Sequence, residues 1–157
     1  MAVHIGQTIY HAAALPAANT KAGFEALTWV LVTGMIDPPK FSTTRTMADI
    51  GNLQTGFTKQ EKAGLTGVAT TMSADEILTD AGQIAVKLAA NGILGSSIKV
   101  VTGSGTDNAP VTGDPVEYAQ GNLYDVDPNQ GNATDSTVGF TVSFTQNAVT
   151  VTDVEPA

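Results

Sequence analysis

Apolar and polar residues alternate along most of the chain, as they do in β-strands that bury one face. The clearest alternation runs from residue 137 to residue 145, where four apolar side chains share one face: Val138, Phe140, Val142 and Phe144. A similar pattern recurs in four further segments: residues 8–14, 64–74, 97–102 and 116–126. Each of these segments predicts a strand with one face against a core.

Three local features refine this strand pattern. Residues 27–33, around Trp29, are apolar on both faces, and such a strand is covered on both by a second sheet or by another subunit. Gly121 predicts a bulge within segment 116–126. Gln146-Asn147 predicts a two-residue turn, after which the chain returns as a last short strand.

A single segment, residues 79–91, changes to the 3.6-residue period of a helix. Its apolar positions define one face, which we expect to pack on the sheet: Leu78, Ala81, Ile84, Ala85 and Leu88. Gln83 lies on the other face, and Gly82 weakens the helix by about 1 kcal/mol relative to alanine. Thr79 is the predicted N-cap, and Asn91-Gly92 predicts a left-handed C-terminal stop.

Residues 37–59 follow no period and predict a long loop. Two prolines begin it, and at roughly twenty residues it exceeds the ~12–15 that compact domains usually tolerate without a functional reason. Such a loop either becomes ordered on a partner or folds back over its own sheet. Its prolines, its arginine and its large apolar residues form the candidate interface: Pro38, Pro39, Phe41, Arg45, Met47, Ile50, Leu53 and Phe57.

These elements predict a mainly β fold in a single domain, residues 1–157. About seven strands with one flanking helix are typical of a two-sheet β-sandwich or a partly open barrel. A chain of 157 residues buries roughly 70% of its unfolded surface, which is enough for a core of its own.

The charge of the chain is unevenly distributed. All seven cations lie in residues 1–99 together with seven anions, whereas residues 100–157 carry eight carboxylates and no Lys or Arg, which accounts for the net charge of −8. The carboxylates form either a solvated surface or a face that function requires to be negative. Without clustered cations, tight attraction to nucleic-acid phosphates is not expected.

Groups suited to catalysis are scarce in the sequence. There is no cysteine, and the two histidines, His4 and His11, are expected at the surface or in an interface. No G-x-S-x-G nucleophile motif and no complete phosphate-binding glycine motif is present. We therefore expect neither an enzyme nor a cofactor.

The segment that comes nearest to a metal site is Asp125-Val126-Asp127-Pro128-Asn129. Oxygen ligands at alternate positions suit Ca²⁺, so Asp125, Asp127 and Asn129 are its candidate ligands. The following glycine is one place late for an EF-hand loop, and a proline intrudes. A polar turn is therefore the preferred interpretation of this segment.

The order of the elements resembles that of the major tail tube proteins of long-tailed bacteriophages. The resemblance covers residues 27–152 approximately, and it rests on order and spacing, because no fingerprint motif is present. The segments that carry it are residues 28–32, 34–36, 59–65, 82–88, 98–101, 116–121 and 139–144.

The resemblance implies two packed sheets with one flanking helix. Some family members carry a further C-terminal immunoglobulin-like domain, for which this chain is too short, so we expect the tube domain alone. Family members form rings, commonly hexameric, that stack into a tube around a tape-measure protein. The implied partners are thus further copies of this chain and other tail proteins. DNA later passes through the lumen without specific binding, and no membrane is involved. The implied location is the virion tail, after assembly in the host cytoplasm.

Two groups of residues acquire roles from the resemblance. The residues of segment 37–59 become the subunit and ring-stacking interface. Some of the carboxylates after Lys99 line an acidic lumen that DNA phosphates do not adhere to, and the candidates are Asp107, Asp114 and Glu117. An alternative is a carbohydrate- or receptor-binding β-sandwich, which usually binds through exposed aromatic residues. The burial expected of Trp29, and the positions of Tyr118 and Tyr124 on either side of a glycine, weigh against it.

Overall fold

The computed structural model describes residues 6–129 and 139–156, with the side chain of Asn129 excepted. The described residues form ten strands, two α-helices and a short 3-10 turn at Thr106–Asn108. In chain order they are β1 (Gln7–Ala12), α1 (Lys21–Glu25), β2 (Val30–Val32), β3 (Met35–Asp37), β4 (Thr43–Gly51), β5 (Thr58–Gly67), β6 (Thr70–Asp75), α2 (Ala81–Asn91), β7 (Ser96–Thr102), β8 (Pro115–Asn129), β9 (Gly139–Gln146) and β10 (Val151–Val154).

Eight of the strands form one antiparallel sheet around β8. The hydrogen-bonded order is β2-β1-β7-β8-β9-β6-β3, and β10 pairs with the beginning of β8. Because β8 is long, β10 pairs with it up to Tyr118 and β9 pairs with it from Gly121 onward. Strands β4 and β5 form a separate two-stranded sheet.

The main sheet is curled so far that its two edges nearly meet. β2 and β3 stand at opposite ends of the strand order, yet only Thr33 and Gly34 separate them in the chain. Gly34 has φ +75°, and its carbonyl accepts a hydrogen bond from Asp75 N at 2.8 Å. A chain that passes from one edge to the other in two residues brings those edges together. The prediction of a mainly β, sandwich-like fold with a flanking helix is confirmed.

The inside of the curled sheet holds the main core. Its buried apolar residues come from six strands and from α2: Ile9, Val32, Met72, Ala74, Val86, Ile98, Val100, Ala119, Leu123, Phe140, Val142 and Phe144. The inward face predicted for residues 137–145 is confirmed at Phe140, Val142 and Phe144, whereas Val138 lies outside the described residues. Each of these large side chains contributes roughly 1.5–3 kcal/mol by burial.

The outer face of the sheet carries a smaller core under α1. Phe24 of α1 stacks on Tyr118 with ring centroids 5.0 Å apart, and Trp29 lies 5.7 Å from the same tyrosine ring. The Trp29 indole N–H donates to the carbonyl of Phe24 at 3.0 Å. α1 thus covers β7 and β8 where Val101 and Val116 point outward.

Helix α2 buries a different face from the one that its apolar pattern predicts. Gly82, Gln83 and Val86 are buried, whereas Leu78, Ile84 and Leu88 are 77%, 53% and 74% exposed. The reason is the closeness of the contact with β2. A Cβ on Gly82 would lie 2.1 Å from Leu31 O and 2.6 Å from Val32 Cα, so only glycine lets the helix reach the strand.

Gln83 is buried because its side chain links the end of edge strand β2 to the end of β6, the strand next to the opposite edge. Its amide nitrogen donates to Thr33 O at 2.6 Å and to Asp75 O at 2.7 Å. Its amide oxygen accepts from Ile77 N at 2.9 Å. The prediction that Gln83 lies on the face turned away from the sheet is therefore wrong. Its amide holds together the ends of β2 and β6 beside the start of α2.

Both ends of α2 also differ from prediction. The N-cap is Asp80 instead of Thr79, and its carboxylate accepts from Gln83 N at 2.9 Å and from Thr33 N at 3.3 Å. Burial opposes ionisation of Asp80, but these hydrogen bonds outweigh it and hold the pKa of the carboxyl below its usual value. At the C-terminus, Gly92 is extended (φ −92°, ψ −176°), not left-handed.

Three other local predictions need correction. Residues 37–59 were expected to be a loop, but residues 43–51 form β4 and residues 58–59 begin β5. Gly121 is not the site of the bulge, which lies between Tyr124 and Asp127; instead, a Cβ on Gly121 would lie 1.9 Å from Thr145 O. β10 pairs with β8, so Gln146-Asn147 does not join two paired strands.

His11 is buried on β1, whereas a position at the surface or in an interface was expected. Its side chain shares the inward face with Ile9, it is 1% exposed, and neither ring nitrogen has a hydrogen-bond partner among the described residues. Burial disfavours the imidazolium and lowers the pKa of His11 from 6.5 to about 4.

We expect this histidine to make stability depend on pH. Between pH 6.5 and about 4 the unfolded chain binds a proton that folded His11 does not, so stability falls as the pH falls through this window. The loss is roughly 3 kcal/mol across the window and stops growing below it. Urea unfolding at several pH values measures it. The variant His11→Leu should show a flatter dependence above pH 5, and an unchanged slope would contradict the assignment.

Candidate assembly surfaces

Strands β4 and β5 form a hairpin that projects from the rest of the protein. Every residue of β4 is exposed, and so is every residue of β5 except Gly67. The hairpin touches the body at its base, where a shallow cavity lies between Leu65 and the segment Gln146–Val149. Its strands of 9 and 10 residues extend about 30 Å at ~3.3 Å per residue.

The sequence of the hairpin explains why it forms and why its period was not visible. Cross-strand neighbours combine an apolar side chain with a lysine, as in Ile50 opposite Lys59 and Met47 opposite Lys62. With neither face against a core, nothing requires an apolar–polar alternation. At the tip, Asn52 Oδ1 accepts from Gln54 N at 2.9 Å, which is the local bonding that asparagine provides in turns.

The structure divides the predicted interface residues into two groups. Pro39 is buried, and Phe41 packs edge-on against Phe144 in the main core at 5.9 Å. These two residues follow the interpretation in which the segment folds back over its own sheet. The other interpretation, contact with a partner, stays open for the residues on the hairpin.

Four of the predicted interface residues are large apolar side chains that lie exposed on the hairpin. Met47 and Ile50 are both 45% exposed, Phe57 is 72% exposed and Leu53, at the tip, is 105% exposed. Arg45 is also on the hairpin, where its guanidinium donates to Ala63 O at 3.1 Å. Pro38 is half-buried before β4 begins.

A second apolar surface lies beside α2, and sequence reasoning did not find it. Leu88, Ile93 and Leu94 surround a hollow of about 390 Å³, which we call the α2 hollow. Its other lining residues are small: Ala13, Ala85, Ala89, Gly92, Gly95 and Ser96. The available signal was the pair Ile93-Leu94, which follows the helix stop Gly92 and is 97% and 76% exposed.

The three candidate lumen residues lie in or next to the connection between β7 and β8. Asp107 and Glu117 are exposed. Asp114 is buried, and its carboxylate accepts hydrogen bonds from the Ser104 hydroxyl, Val111 N and Ser104 N. These bonds lower the pKa of Asp114, the Ser104 hydroxyl contributing most. Asp114 thus organises the loop, and Asp107 and Glu117 remain as candidate surface charges.

Two other carboxylates of the acidic C-terminal half are paired with lysines. The Lys99 ammonium lies 2.9 Å from Glu155 Oε2 and 5.0 Å from the centre of the Tyr10 ring. The Lys21 ammonium lies 3.4 Å from Asp153 Oδ1. The uncompensated negative surface is therefore smaller than the sequence count suggests.

No group of three or more His, Cys, Asp or Glu side chains is arranged to hold a metal ion within residues 6–128 and 139–156. Asp125 and Asp127 are exposed beside the β8 bulge, where Asp125 has φ +52°. The third candidate ligand, the side chain of Asn129, lies outside the described residues. The expected polar turn is not there, because β8 continues through this segment to Asn129.

Within the described ranges, no helix is long and apolar enough to cross a membrane.

Comparisons with known proteins add little to this structural description. The sequence matches no protein-family model, and no curated protein sequence matches it. A crystal structure of an Hcp protein is similar in fold, with a TM-score of 0.43 and 8% sequence identity over 95% of this chain and 98% of that chain. At this level the likeness carries no argument about function or assembly.

Proposed function

We propose that this protein is a structural subunit that assembles with copies of itself into rings, and that the rings stack into a tube of the phage-tail type. The observation that carries the proposal is the projecting β4–β5 hairpin. It is a long element that carries exposed apolar side chains and has neither face against the core.

The energetics of the hairpin support contact with a partner. An isolated two-stranded hairpin is marginally stable in water, because it buries too little surface to offset its conformational entropy. Here Leu53 and Phe57 remain in solvent at the tip. Docking against another subunit would bury these side chains and fix the hairpin.

The finer parts of the proposal concern the tube as a conduit. Stacked rings around a tape-measure protein would leave a lumen through which DNA passes during ejection. The net charge of −8 and the exposed carboxylates Asp107 and Glu117 support a channel that phosphates do not adhere to. On this proposal the protein is a tail component of a virion, assembled in the host cytoplasm, and not an enzyme.

The alternative, a carbohydrate- or receptor-binding module, finds less support in the aromatic residues. Tyr118 is 1% exposed and stacks on Phe24. Trp29 packs on the same tyrosine. Neither ring offers an open platform for a sugar.

Removing the apolar side chains of the hairpin should abolish assembly. We expect the wild-type chain to form rings or tubes in electron micrographs, and the triple variant Ile50→Ser/Leu53→Ser/Phe57→Ser to stay monomeric in sedimentation velocity. Because these side chains are exposed, the free energy of unfolding should change by no more than about 0.5 kcal/mol.

The double variant Thr46→Ala/Gln60→Ala is the matched control, since it changes two exposed polar residues of the same strands and should assemble normally. A wild-type chain that stays monomeric at high concentration would overturn the proposal. Image reconstruction of the tubes also tests the conduit. If Asp107 and Glu117 lie on the outer wall of the tube, they do not form an acidic lumen, and that part of the proposal is wrong.

A further inference from the structure

The α2 hollow belongs to a large exposed apolar patch. Five large side chains surround it or adjoin it: Leu15, Ile84, Leu88, Ile93 and Leu94, with exposures of 43%, 53%, 74%, 97% and 76%. Together they expose on the order of 600 Å², which is at the upper end of the about 300–600 Å² found for the largest apolar patch on a typical monomer. One side of a standard protein–protein interface buries about 800 Å². The patch therefore approaches the size of one side of a docking surface.

The shape of the patch favours an occupant with large apolar side chains. The small residues Ala85 and Ala89 of α2 and its C-cap Gly92 line the hollow together with the large residues Leu88 and Leu94. Small residues between large ones leave space into which side chains of another element can insert.

The chain itself contains an element that fits this description. The β4–β5 hairpin presents Met47, Ile50, Leu53 and Phe57 to solvent. It has no packed face, whereas the hollow has no cover among the described residues.

Charge favours contact between the hairpin of one copy and the body of another. The hairpin, residues 43–67, carries three cations against Asp49 and Glu61, and its net charge is +1. The remaining residues carry the other four cations and thirteen carboxylates of the chain, and their net charge is −9. Two bodies repel each other, but a hairpin and a body attract.

We propose that the α2 hollow receives the β4–β5 hairpin of a second copy of this chain. The inference rests on the proposed self-assembly and specifies its contact. The two surfaces differ, so the interface is head-to-tail, and interfaces of this kind build closed rings or open filaments instead of two-fold dimers.

The absence of cysteine from the sequence makes a direct test possible. One sample carries Leu53→Cys on the hairpin and another carries Leu94→Cys at the hollow. Under mild oxidation the mixed samples should form a disulfide-linked heterodimer, with a yield about tenfold above that of a mixture of Leu53→Cys with Thr152→Cys, an exposed position on β10. Because each chain carries a single cysteine, only a contact between two copies can produce the link.

A second measurement uses the hollow without crosslinking. The variant Leu88→Ser/Leu94→Ser should raise the concentration required for assembly by about tenfold or more, as expected when central apolar contacts are lost. The variant Leu78→Ser/Val154→Ser changes two exposed apolar residues that do not line the hollow and should assemble as the wild type does.

The outcomes separate this inference from the proposed function. Tubes that form normally with both hollow residues changed, and without the specific crosslink, would overturn the docking site and leave the tube proposal intact. A wild-type chain that never assembles would overturn both.

Discussion

Replacing Gly82 with alanine is expected to destabilise the folded chain by about 3 kcal/mol. Helix propensity alone predicts the opposite sign, because alanine in a helix is favoured over glycine by about 1 kcal/mol. The packing term dominates here. The new methyl group would lie 2.1 Å from Leu31 O and 2.6 Å from Val32 Cα, and neither backbone atom can move without displacing β2.

Urea unfolding followed by the fluorescence of Trp29, the single tryptophan, measures this effect. Gly64→Ala provides the control, since no atom lies within 4 Å of a Cβ at that position. The two variants make the same chemical change, one against β2 and one in open space. Equal midpoints for both would show that α2 does not lie as close to β2 as described.

The second large effect is expected from Gln83→Ala. This substitution removes an amide that bonds to Thr33 O, Asp75 O and Ile77 N, and it leaves the part-buried groups Thr33 O and Ile77 N without this hydrogen bond. Each unsatisfied group costs about 1–3 kcal/mol, so the total should reach roughly 3–4 kcal/mol. Because the amide links the end of β2 to the end of β6, amide hydrogen exchange should also increase in both strands.

Leu88→Asp is the informative comparison for Gln83→Ala. The apolar pattern of the helix predicts that Leu88→Asp prevents folding and that Gln83→Ala is tolerated. The exposure of the two residues, 74% for Leu88 and 1% for Gln83, reverses both expectations. Leu88→Asp should fold with a nearly unchanged midpoint, and a loss of folding in that variant would restore the face predicted from sequence.

The sequence predicted the fold best where the alternation of apolar and polar residues matches their burial against the core. Residues 139–146 alternate because one face of β9 meets the core, so the strand and its inward residues followed from the pattern. For α2 the pattern predicted the element but not its orientation. The apolar stripe of α2 lies in an exposed patch. The buried side of the helix is set by Gly82 and by the amide of Gln83, and a pattern of hydrophobic residues does not reveal either contribution.

The candidate surfaces were predictable only in part for a related reason. The absence of a period in residues 37–59 pointed to an unusual segment, but it could not distinguish a loop from a hairpin that is exposed on both faces. The negative charge of Asp114 could be counted from the sequence, but its burial could not be predicted. The burial accompanies hydrogen bonds from Ser104 and Val111 of the same loop, which a count of charges does not reveal. Leu94 and Ala13 line the same hollow although they are far apart in the sequence, and only the topology of the fold brings them together.

The short strands at the edges of the main sheet have a consequence for solubility. The outermost strands of the main sheet have three residues each, and β10, beside β8, has four. Short edge strands offer few free backbone groups for pairing with another chain, which limits indiscriminate aggregation. Long free edges occur on β4 and β5. A pool of unassembled chains would therefore resist random sheet-to-sheet association, and the backbone groups open to a neighbour are concentrated on the hairpin.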